Sequence, residues 1–222
     1  MREYYVLFPA LESSRHQVMA RLGPVLQKHR VLFDDEVDCE ELGFDGELRR
    51  YHWTGKTSSC RDVEDAVART RSWQGLALYF RYGVEETLGE LSILLWNDVD
   101  PAVTTLALCE NSVLFNLQSE HASAWASLQR LLLDMREALQ ASACLMACDP
   151  PLRTLTHEAL SGELERIEEG RLVPLFLAVL VDHFPRAMTL HSSSEAARCV
   201  LRREQDCLVV SSPRMGTPDG DE

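Results

Sequence analysis

Apolar and polar positions along this chain change period several times, and each change predicts an element. Tyr4 to Phe8 is a short, almost unbroken apolar run, which reads as a buried strand that Pro9 ends. Over residues 11–30 the period becomes helical. Val18, Leu22, Val25 and His29 share one face, and Gly23-Pro24 predicts a break or kink within it. Val31 to Phe33 then leads into a polar stretch whose Gly43 and Gly46 predict a loop, with a short helical turn at 38–42. Residues 48–53 fit a strand. Gly55 to Ser59 is turn-like and offers hydroxyls to cap a helix over 60–73, on which Val63, Val67 and Thr70 fall at helical spacing.

The middle of the chain has the clearest pattern. Residues 75–82, 90–96, 102–109 and 112–117 are strand-like runs, separated at 83–89, 97–101 and 110–111 by turn chemistry. Consecutive strands with short links predict an antiparallel meander over 75–117. Ser119 then opens a helix to residue 140. Its Trp125, Leu128, Leu132, Met135 and Leu139 form one apolar stripe, expected to pack across the meander.

Residues 141–148 fit a strand or the end of that helix, and Asp149-Pro150-Pro151 is a break. A helix over 156–169 should turn Leu160, Leu164 and Ile167 inward. The apolar run 172–181 is rich enough in valine to favour a strand. A strand at 187–191, a helix at 194–203 and a strand at 207–210 would complete the chain, and 213–222 has the composition of a disordered tail. The fold class is therefore α+β: a meander packed by a long amphipathic helix, with further α/β elements at both ends. The pieces flanking the Pro-Pro break are too small to fold alone, so one domain over 1–212 is expected, with a C-terminal subdomain at 152–212.

Charge sharpens the picture. The 222 residues carry 35 acidic and 22 basic side chains, a formal net charge of -13. Asp34, Asp35, Glu36, Asp38, Glu40, Glu41, Asp45 and Glu47 are clustered in one stretch that holds no basic residue. Such a surface repels nucleic acid and anionic membrane and attracts basic partners. The first apolar stretch is too short for a signal peptide, and the run at 172–181 is too short to span a bilayer. Both point to a soluble, cytoplasmic protein. Seven scattered cysteines suit reduced, buried thiols better than a disulfide framework.

Four fragments of the chain carry partial chemical signatures. Gly55-Lys56-Thr57 resembles the end of a phosphate loop, but Arg50 stands where the first glycine is needed, so a turn and helix cap is the better reading. His157-Glu158 begins a zinc-protease pattern, but Ser161 replaces its second histidine. Cys144 and Cys148 have no second cysteine pair at zinc spacing. A calcium loop starting at Asp34 puts Cys39 where glycine belongs. No nucleophile signature accompanies these fragments. No catalytic, cofactor-binding or metal-binding residue is nominated.

What remains is an acidic, α+β chain without catalytic motifs. That profile resembles bacterial immunity proteins, which neutralise a cognate toxin. The resemblance implies a non-enzymatic role and a basic protein partner. The expected contact residues are Asp34, Asp35, Glu36, Asp38, Glu40, Glu41, Asp45 and Glu47, with Phe33, Phe44 and Trp53 as apolar anchors. One alternative is a secretion chaperone or adaptor that uses the meander's apolar face or the 119–140 helix. Another is a small enzyme with a dispersed site.

Overall fold

The structure, a computed structural model, describes residues 3–9, 11–33, 39–47, 50–84, 87–97, 104–111, 122–148, 156–169, 171, 175–184, 200–204 and 207–211. Asp34, Asp35, Glu36 and Asp38, the expected strands at 112–117 and 187–191, and the tail at 213–222 lie outside the described residues.

The described strands are β1 (Glu3–Leu7), β2 (Val31–Phe33), β3 (Cys39–Asp45), β4 (Arg50–Ser58), β5 (Gly75–Val84), β6 (Thr87–Trp96), β7 (Thr105–Asn111), β8 (Ala143–Cys148), β9 (Phe176–Leu180), β10 (Val200–Glu204) and β11 (Cys207–Ser211). They form one sheet in the order β10-β11-β9-β8-β1-β7-β6-β5-β3-β4, with β2 also pairing β5. Every pairing is antiparallel. The described helices are α1 (Arg15–Lys28), α2 (Val63–Arg69), α3 (Ala122–Leu139) and α4 (His157–Glu168).

The sheet is buried on both faces, which explains why its strands read as apolar runs rather than strict alternations. Leu76, Leu78 and Phe80 of β5, with Leu91, Ile93 and Leu95 of β6, face α1, α2 and α3. On the opposite face Ala77, Leu94 and Trp96 share a cluster with Leu160, Leu164 and Ile167 of α4. The expected meander is present as β5-β6-β7, and the stripe of α3 packs against it. Leu128, Leu132, Met135 and Leu139 are at most 2% exposed. Each such side chain contributes about 1.5–3 kcal/mol by leaving water, and this burial anchors the α3 layer. The sheet also runs past the Pro-Pro break, because β9 pairs both β8 and β11.

Four expectations are corrected. First, α1 is continuous through Gly23-Pro24. Pro24 withholds an N–H from Ala20, but both residues face solvent, where water can serve the carbonyl, while buried Leu22 and Leu26 hold the helix down. Second, the loop expected through Gly43 and Gly46 is for the most part strand β3, pinned between β4 and β5. Third, Gly55 to Ser58 belongs to β4, and α2 is capped by Asp62, whose side chain accepts from the Asp65 N–H. Fourth, the helix placed at 194–203 gives way to β10 from Val200 onward, and β10 and β11 form a hairpin. Tertiary pairing overrides local preference in each strand.

Candidate partner-binding surface

β3 and β4 form a hairpin at one end of the sheet, and it carries the expected contact residues that the structure describes except Phe33, which ends β2 opposite Phe80 of β5. Its shape departs from a plain ladder. From Glu40 opposite Thr57 the register jumps to Leu42 opposite Trp53, so β4 bulges at Thr54 to Lys56. Gly55, at φ 77°, supplies the left-handed residue that the bulge requires. Its N–H donates to Glu40 Oε1 at 3.2 Å. The fragment that resembled a phosphate loop is thus a β-bulge closed by a carboxylate.

The two-residue period of β3 splits the expected acidic patch across the sheet. Glu40 and Phe44 share one face with Tyr51, Trp53 and Tyr79. Glu41 turns to the other, where Lys56 Nζ lies 3.4 Å from its Oε1 and 4.9 Å above the Trp73 ring. Each acid also has internal work. The Tyr79 hydroxyl donates to Glu40 Oε2 at 2.7 Å, and the Trp53 indole N–H donates to the Tyr79 oxygen at 3.1 Å. Glu41 also receives the Thr54 hydroxyl. Asp45 accepts from the Glu47 N–H at 2.9 Å and thereby shapes the β3–β4 turn. The expectation of a short helical turn at 38–42 is therefore corrected: Glu40 and Glu41 lie in β3, and strand pairing turns them into cross-strand links.

Phe44 is different. It is 43% exposed, yet firmly mounted. Its ring rests on Tyr51 at 5.1 Å between centroids, and Tyr51 rests on buried Trp96 at 5.0 Å. Its backbone N–H donates to Gln74 Oε1 at 3.1 Å. Exposed Glu47 lies in the adjoining turn. Trp53, only partly buried, completes the aromatic row. The sequence pointed to Phe44 and Trp53 but missed Tyr51, Tyr79 and Gln74, which become neighbours only through sheet pairing.

The other candidate chemistry is structural. His157 stacks on Phe184 at 4.4 Å. Cys39, Cys60, Cys144 and Cys207 are buried, and burial pushes the Cys144 thiol up to about 12. Lys28 Nζ and His29 Nε2 donate to Asp134 Oδ2 at 2.7 and 2.5 Å, tying the end of α1 to α3. Among the described residues no group of three His, Cys, Asp or Glu could hold a metal ion. Nor, among them, is any helix long and apolar enough to cross a membrane.

No protein-family model matches the chain. No curated protein matches it. Among solved structures, a Pseudomonas aeruginosa T6SS protein aligns with 98% of this chain and 70% of its own, with 9% sequence identity and a TM-score of 0.43. A likeness this distant carries no argument about what the chain does.

Proposed function

We propose that this chain is a non-enzymatic, cytoplasmic binding protein that recognises a basic protein partner, and that it acts as an immunity protein that neutralises a toxin. The observation that carries the reading is Phe44, an exposed aromatic on a braced hairpin in a chain of net charge -13. Rigid aromatics supply affinity at protein interfaces at low entropic cost, while a surrounding acidic field speeds encounter with a cationic surface. Trp53 extends the aromatic row, and Glu47 belongs to its rim. Glu40, Glu41 and Asp45 serve chiefly by holding the hairpin in shape.

The chaperone or adaptor alternative is weakened on one point. The helix stripe it would offer to a partner is buried in the core.

The test begins with a cationic protein retained from the source cell at low salt and with the product of the neighbouring gene. Titration of either should show binding that weakens as salt rises. Phe44→Ala should reduce affinity about tenfold or more, as expected for an aromatic anchor. Joint neutralisation of Asp34, Asp35, Glu36 and Asp38 should slow association and leave the fold intact. Coexpression with that product should relieve its toxicity in the wild type and fail in the Phe44 variant. Absence of any partner at low salt, or binding indifferent to both salt and Phe44, would overturn the proposal.

A further inference from the structure

A second surface, remote in character from the aromatic hairpin, lies between α1 and α2. Two adjoining hollows of about 420 and 480 Å³ share His16, Glu64 and Val67. Their chemistry differs. The first is apolar, walled by Met19, Leu26 and Val63. Gly23 lines it too, and a Cβ there would meet nothing within 4 Å. The second lies at the N-terminus of α1 and is lined by Ser14, Arg15 and Arg71.

Arg15 is the unusual group. It is only 9% exposed, and one guanidinium nitrogen donates to the Gln74 carbonyl while Nε has no hydrogen-bond partner. A buried guanidinium with no carboxylate beside it among the described residues is costly. Burial pushes its pKa down. The helix end beside it is capped but carries no acid. Ser14 and Gln17 close a capping box, and the first turn of α1 has no acidic residue to meet the dipole. Arg71, exposed on the opposite wall, adds a second cation.

We infer that this groove binds a small organic carboxylate with an apolar tail, its head at Arg15, Arg71 and the α1 N-terminus and its tail between Met19, Leu26 and Val63. The two lining cations and the positive end of the helix dipole select an anion, and the adjoining apolar hollow selects a ligand with a hydrocarbon body. Glu64 is the one lining carboxylate among the described residues and opposes the head, so it limits affinity. The inference stands independently of the partner-binding reading.

Octanoate is the probe, with acetate and octanol as controls, titrated into the intact chain and followed by NMR. Saturable octanoate binding with shifts at Met19 and Arg71 is expected, and both controls should bind about tenfold more weakly or less. Arg71→Ala should weaken octanoate about tenfold, and Glu64→Gln should tighten it. Arg15→Gln should abolish binding. Because Arg15 is buried and its replacement also tests the fold, Arg71→Ala, at an exposed site, carries the decision. No saturable binding, equal binding by either control, or no effect of Arg71→Ala would overturn the inference. Stronger competition by a leucine-terminated peptide would overturn the small-ligand assignment.

Discussion

Tyr79 donates its hydroxyl to Glu40 at 2.7 Å and at the same time receives the Trp53 indole N–H, so three strands meet at one phenol oxygen. Removing that oxygen leaves an indole donor and a carboxylate without their partner in a half-buried setting. Tyr79→Phe should therefore cost about 1–3 kcal/mol in urea unfolding. Glu40→Gln should cost less, since an amide oxygen can still accept from Tyr79. Equal costs would mean that the carboxylate charge, rather than the hydrogen bonds, holds the hairpin.

Gly75 faces Leu42 where β5 pairs β3. A Cβ built there would lie 2.7 Å from Leu42 Cβ and 3.2 Å from Trp96 Cβ. Both neighbours are fully buried and cannot step aside. Gly75→Ala should destabilise the protein by about 1–3 kcal/mol. Gly23→Ala, in open space on a helix, should be neutral or stabilising by about 0.5–1 kcal/mol. Thermal or urea unfolding of the two variants tests the contrast directly.

Two carboxylates set the acid limb of stability. The Arg61 backbone N–H, then the Arg61 and Arg69 guanidinium groups, hold Asp65 down to about 2. Partial burial raises the Asp134 carboxyl, but hydrogen bonds from Lys28 and His29 outweigh it and leave the group below its ordinary value. A depressed folded-state pKa means that stability is fully present above the unfolded value, 3.8, and is lost as pH falls through the folded value. Urea stability should fall between pH 4 and pH 2 in the wild type. Asp65→Asn should flatten part of that fall, and Asp134→Asn a further part. A wild-type slope unchanged in both variants would rule these groups out.

The Cys144 thiol, fully buried and pushed up to about 12, should be unreactive in the folded protein. Thiolate is the nucleophile, and almost none forms near neutrality. Alkylation at pH 8 followed by peptide mapping should leave Cys144 unmodified until denaturant unfolds the sheet. Rapid labelling without denaturant would show that β8 opens locally.

Much of the fold was legible because single elements carry their own signals. The 125–139 stripe has the helical period, and α3 buries it. Leu160, Leu164 and Ile167 likewise mark the inward face of α4. Boundaries were legible only where special chemistry marks them. Both α1 and α3 are followed by left-handed residues, Arg30 at φ 56° and Gln140 at φ 55°, where a glycine would have announced the turn. Of the candidate site, Phe44 and Trp53 were visible as aromatics in an acidic stretch. Their mounting on Tyr51, Gln74 and Tyr79 depends on strands far apart in sequence.

The chain by itself determined its α+β class, its central meander, the stripe that covers it and its negative net charge. Those properties follow from side-chain periodicity and net charge, which are additive along a sequence. Only the tertiary structure decided that the glycine-bearing acidic segment continues as a strand, that Glu40 and Glu41 divide between two faces, and that Arg15 is buried with no counter-ion among the described residues. Strand pairing and burial are properties of residues brought together from a distance, and a two-residue period becomes a choice of face only once a neighbouring strand fixes the register.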